Sequence, residues 1–189
     1  MTFSATDICS HALVKLGAGT ISSFSENTTG ARIAEQLYTP TTDALLASYP
    51  WRFALAQSVL ARLADAPASD YRYAYALPAD CLRVLSAGTG THSRGLNYRL
   101  TGKQLHTDAE QVLLTYISRP AERQFPAFFT QALTAQLAAE FCLPLTESTT
   151  RTDYLRKIAT ETIQQARLAD SQQSVPSSFQ DFSLIEVRQ

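Results

Sequence analysis

The chain has 189 residues, of which 45% are hydrophobic and 17% charged, with a formal net charge of −1. That length makes one domain, or two small ones, and buries a core without metal or disulfide support. The near-zero charge argues against a free-standing nucleic-acid binder, which needs clustered excess Lys and Arg, and against an acidic disordered tail.

The first helix is announced by Ser4 as N-cap, with Asp7 three residues on as its capping-box partner and Phe3 and Ile8 spaced as a hydrophobic staple. Ile8, Ala12, Leu13 and Leu16 form its buried stripe, and Gly17 and Gly19 end it. A second helix starts after Asn27-Thr28-Thr29, any of which can cap it, with Ile33, Leu37, Ala44 and Leu45 as the expected buried stripe. Pro40 predicts a kink, or a break with Thr39 as a new cap, and Pro50 ends the helix by about Tyr49.

Residues 52–63 fit a strand or a helix equally well. Tyr71, Tyr73 and Tyr75 then alternate with small or charged residues, which is strand spacing. Pro78-Ala79-Asp80 is a turn, and residues 81–86, 96–101, 103–107 and 111–118 read as short strands. The last of these is apolar on both faces, as in a central or doubly covered strand.

A third helix begins near Pro126 with a stripe of Phe129, Leu133, Leu137 and Phe141, and is expected to close at Pro144. A fourth runs from about Glu147 to Asp170 with the thinner stripe Leu155, Ile158, Ala159, Thr162 and Ala166, so it is partly exposed or faces another subunit. Residues 171–178 have the composition of a linker. They lead to Phe179, Phe182, Leu184, Ile185 and Val187, which either fold back on the chain's own domain or dock on a partner.

Residues of chemical type give little. Cys9, Cys81 and Cys142 are far apart and form no CxxC pair, which suggests neither a disulfide framework nor a zinc site and fits synthesis in a reducing cytosol. No signal peptide and no membrane span are expected. His106, Asp108 and Glu110 would share a strand face able to hold a divalent metal, against the plainer reading of a polar connection. Asp65, Asp70 and Asp80 have no fixed separation, so a hydrolytic carboxylate pair has little support. No catalytic residue, cofactor or metal ligand is assigned.

Two stretches in order carry a resemblance. The first runs from Thr6-Asp7-Ile8-Cys9 through Leu16-Gly17 and Ile21-Ser22-Ser23-Phe24 to Asp43-Ala44-Leu45-Leu46 and Tyr49-Pro50-Trp51-Arg52-Phe53-Ala54. The second is Tyr73-Ala74-Tyr75-Ala76-Leu77-Pro78-Ala79-Asp80-Cys81-Leu82-Arg83-Val84. Together they resemble the head–tail adaptor proteins of tailed bacteriophages, also called tail tubular protein A or head-completion proteins.

The resemblance implies a structural, non-enzymatic protein made in the host cytoplasm and carried at the head–tail junction of the virion. About twelve copies would form a ring on the portal protein, receive the tail or nozzle proteins, and let double-stranded DNA pass without specific binding or any membrane contact. It also resolves residues 52–63 toward strand. The rivals are a tail-associated peptidoglycan-degrading enzyme and another ring component, such as a tail-tube or terminator protein.

The expected fold is α+β and mainly α, a four-helix bundle from residues 1–53 and 119–171. A β-rich insertion, residues 54–118, separates helices two and three, and residues 172–189 form a C-terminal docking arm. On that arm Phe179, Phe182, Leu184, Ile185 and Val187 would touch the portal or a neighbouring subunit, and Arg94 would mark a tail-facing loop.

Overall fold

The computed structural model describes residues 3–65, 67, 70–90 and 93–173. Phe179, Phe182, Leu184, Ile185 and Val187 lie outside the described residues. Helix α1 (Ala5–Lys15) opens with the expected reciprocal cap: Asp7 N–H donates to Ser4 Oγ at 3.2 Å, and Ser4 N–H to Asp7 Oδ2 at 2.9 Å. Ile8, Ala12, Leu13 and Leu16 are buried. Phe3 lies edge-on to His11, with ring centroids 5.2 Å apart. Gly17, at φ +74°, takes the left-handed turn that follows the helix, a conformation a Cβ disfavours.

Helix α2 (Thr29–Ala47) is capped by Thr28 and continues through Pro40 as one helix. Proline lacks the N–H that would serve the Gln36 carbonyl. Gln36 is exposed, so water can serve that carbonyl instead. The buried positions are Ala31, Ala34, Tyr38, Thr42, Leu45 and Leu46. The apolar stripe read from the sequence is displaced from this face: Ile33 and Leu37 are only half-buried, and Ala44 is exposed.

A short 3-10 turn (Arg52–Ala54) leads into six strands: β1 (Leu55–Val59), β2 (Tyr73–Ala76), β3 (Cys81–Gly88), β4 (Arg99–Thr101), β5 (Gln104–Thr107) and β6 (Leu113–Ser118). They form two antiparallel sheets of order β1-β6-β3 and β2-β5-β4. The sheets are linked at both edges. Beyond β1, Leu63 N–H donates to Ala74 O at 2.8 Å, and beyond β3, Leu96 N–H donates to Ala87 O at 3.1 Å. Between the sheets lies one core, containing Leu60, Tyr75, Leu105, Val112, Leu114 and Tyr116.

After a second 3-10 turn (Glu122–Gln124) come α3 (Ala127–Thr146) and α4 (Thr149–Ser171). Helix α3 runs two residues past Pro144, to Thr146, and is capped by Glu147 in the left-handed region, at φ +54°. Proline near a helix end removes only one internal bond, so the last turn survives it.

The four-helix bundle with a β-rich insertion is not what these elements build. Among the described residues there are four helices and two three-stranded antiparallel sheets, and α3 is the hub onto which α1, α2 and α4 each pack. The reason lies in α3 itself. Its buried set includes Ala132, Ala135, Ala138 and Ala139 beside the Phe and Leu stripe, so it is apolar nearly all round and must be covered on several sides. Ala135 and Ala139 receive Ala159 of α4.

The sheet region also completes the helical core. Ile117 of β6 is buried in it, and Leu82 and Leu85 of β3 pack against it. Leu114 and Tyr116 of the same β6 enter the core between the sheets. The central strand is therefore covered on both faces, as its sequence implies.

Candidate partner-binding site

The joint between helices and sheets holds four of the residues that carried the resemblance, Tyr49, Trp51, Phe53 and Asp80. Trp51 is fully buried and donates its Nε1–H to Leu45 O at 3.0 Å. Its ring stands edge-on to Tyr49 and to Phe129, with centroids 5.0 and 5.1 Å away. Phe53 packs edge-on to Phe129 at 4.9 Å. Asp80 accepts from the Tyr116 hydroxyl at 3.3 Å, which pins the turn before β3 to the central strand. These motif residues therefore do structural work at the joint.

Among the described residues, several large apolar side chains stand exposed on the outer surfaces. On α4, Tyr154 and Leu168 are each 64% exposed. On β1, Val59 is 71% exposed, and Leu55 shares that face. Only Thr152, Ala159, Ala166 and Asp170 of α4 are buried, so most of a 23-residue helix faces outward.

Between α2 and α4 a groove runs over α3. One part, of about 410 Å³, is lined by Pro40 and Ala44 of α2, Gln136 and Glu140 of α3, and Ile163 and Arg167 of α4. The other, of about 370 Å³, is lined by Ile33, Leu37, Glu140, Leu143 and Arg156 among others. Glu140 borders both and accepts from Gln136 Nε2 at 2.9 Å. Arg167 donates to Ser48 Oγ at 3.2 Å and lies 5.4 Å from the Tyr49 ring centroid, while its buried Nε has no hydrogen-bond partner.

The other expected sites fare differently. Arg94 is exposed, between Ser93, whose hydroxyl accepts from Gln57 at 3.3 Å, and Gly95 at φ +87°. His106, Asp108 and Glu110 do not share a strand face, because β5 ends at Thr107. His106 is buried and pairs through Nε2 with Gln104 Oε1 at 3.1 Å, whereas exposed Asp108 accepts from Arg72 N–H at 3.0 Å. Among the described residues, no group of three or more His, Cys, Asp and Glu stands where it could hold a metal ion. Cys9 and Cys142 are buried and Cys81 is half-exposed; burial pushes the Cys9 thiol up to about 12.

The groove was missed in the sequence because its walls are far apart along the chain. The one available signal was the apolar stripe of Ile33, Leu37 and Ala44, which lines it. Among the described residues, no helix is long and apolar enough to cross a membrane. No protein-family model matches the chain, and no curated protein matches it.

Proposed function

We propose that the chain is a structural, non-enzymatic adaptor of a tailed-phage virion, acting at the head–tail junction. Copies of it form a ring on the portal protein, extend the DNA channel and receive the tail or nozzle proteins. Double-stranded DNA passes through without specific binding, which suits a chain of net charge −1, because each phosphate neutralised by Lys or Arg would add affinity and retard sliding. In this reading Phe179, Phe182, Leu184, Ile185 and Val187 contact the portal or a neighbouring subunit, and Arg94 lies on the tail side.

The observation that supports this reading best is the exposure of Tyr154 and Leu168 on α4 together with Val59 and Leu55 on β1. Large apolar side chains on both the helical and the sheet regions suit a part held between partners. Electron microscopy of the purified chain mixed with a phage portal tests it. A ring of the chain seated on the portal is expected, and a portal left bare at saturating protein rejects the adaptor reading.

A further inference from the structure

Where β3 meets β4, the join between the two sheets covers only part of β3. Leu96 N–H reaches that strand at Ala87, near its end. Among the described residues, no backbone hydrogen bond links residues 81–85 of β3 to β4. At that seam lies a cavity of about 340 Å³, walled by Cys81 and Val84 of β3, Leu77 after β2 and Leu100 of β4. Leu77 N–H donates to Lys103 O at 3.0 Å, and both residues are on the wall.

The cavity is apolar because it is a gap in the core between the sheets. Leu77, Cys81 and Val84 belong to that core but are only half-buried, whereas Tyr75, Leu105 and Leu114 of the same core are fully buried. Leu100 is 45% exposed. An apolar body seated here would remove all four from water.

The charges at the seam have one sign. Among the described residues, the charged side chains on the wall are Arg83 and Lys103, both exposed, and neither has an ion-pair partner. Asp80, next to Cys81 in the chain, is not on the wall and accepts from the Tyr116 hydroxyl at 3.3 Å. Burial, and after it the Asp80 charge, holds the Cys81 thiol above its ordinary range, so it is a neutral part of the wall rather than a nucleophile.

We propose that this seam binds a small amphipathic anion, an aliphatic or aromatic carboxylate. Its apolar body lies on Leu77, Val84 and Leu100, and its carboxylate meets Arg83 and Lys103. Small-molecule sites are concave and mostly apolar, with a few placed polar groups and volumes from about 300 Å³ upward. The site needs no partner protein and stands whether or not the chain is an adaptor.

The test uses the full-length chain, whose three cysteines are the reporters. Cys81 is half-exposed on the cavity wall, while Cys9 and Cys142 are buried. Labelling by N-ethylmaleimide is read at each cysteine by mass spectrometry, with octanoate or octanol added. Saturating octanoate is expected to slow labelling of Cys81 about fivefold or more, with Cys9 and Cys142 still unlabelled. Arg83→Gln with Lys103→Gln raises the octanoate concentration needed about fivefold and leaves that of octanol unchanged. Leu100→Ser raises both. All three positions are exposed, so these variants keep the fold. If the double variant exposes Cys9 or Cys142, Lys103→Gln alone carries the same comparison. Absence of protection at concentrations that leave Cys9 and Cys142 unlabelled overturns the proposal, as does octanoate protection that neutralising the cations leaves unchanged.

Discussion

Both carboxylate oxygens of Asp170 accept the backbone N–H of Arg52, at 3.2 and 3.1 Å, and so tie the last turn of α4 to the turn that leads from helices to sheets. Asp170 is 1% exposed. Burial pushes its carboxyl above the ordinary 3.8, although the Arg52 N–H and charge pull it down. The folded chain thus holds this proton more tightly than the unfolded chain does. The stability it contributes is fully present below pH 3.8 and is lost as pH rises through the raised value. Stability of the wild type minus that of Asp170→Asn, from urea unfolding, is expected to fall as pH rises through that window. Asp170→Ala is expected to cost about 1–3 kcal/mol at neutral pH, because the Arg52 N–H loses its acceptor.

Trp51 gives a second stability prediction. Trp51→Ala removes a fully buried ring set among Tyr49, Phe53 and Phe129, and is expected to cost about 3–5 kcal/mol. Trp51→Phe keeps most of the packing and loses the bond to Leu45 O, at a cost of about 1–3 kcal/mol. Denaturant unfolding of the two variants beside the wild type checks the order. Equal losses would mean that the indole N–H, rather than the ring volume, dominates this site.

Local signals were legible and non-local ones were not. Ser4 and Asp7 cap α1 because both partners lie within one turn, and the alternating apolar faces of 113–118 identify a doubly covered strand. Resolving residues 52–63 needed the family resemblance, since their periodicity fits two structures, and the structure gives a 3-10 turn and then β1. The hub role of α3 was hidden in its alanines, which allow close helix approach without marking a stripe. The division into two sheets depends on pairings such as β1 with β6, which span more than fifty residues. The groove depends on two helices that the chain order separates by both sheets and α3.

Arg94 tests the direction of assembly. It is exposed and lies in the connection between β3 and β4, where a charge change leaves the core untouched. Arg94→Glu is expected to shift stability by no more than about 0.5 kcal/mol. In the adaptor reading it weakens tail attachment and spares portal binding. Co-sedimentation of the variant with portal, and separately with tail protein, measures both. Loss of portal binding with tail binding intact would mean that the sheets face the portal.

In the adaptor reading, the outward face of α4 bears on how a ring would close. Tyr154 and Leu168 are exposed there, but the rest of that face is largely polar, with Arg151, Asp153, Lys157, Glu161 and Gln165 beside them. A face this polar, with two isolated apolar anchors, rarely sustains a strong interface alone. The isolated chain is therefore expected to be a monomer or a weak oligomer, and to close into a ring only where the portal fixes the rotation between neighbours. Tyr154→Ser with Leu168→Ser should leave unfolding stability within about 0.5 kcal/mol of the wild type, since neither side chain is buried. On the portal, the same variant should fail to complete the ring. Light scattering of the free wild type and electron microscopy of portal mixtures read the two halves separately. A stable ring of the free wild type at low micromolar concentration would show that the subunit contacts suffice without a template, and a complete ring of the variant would move the closing contact off α4.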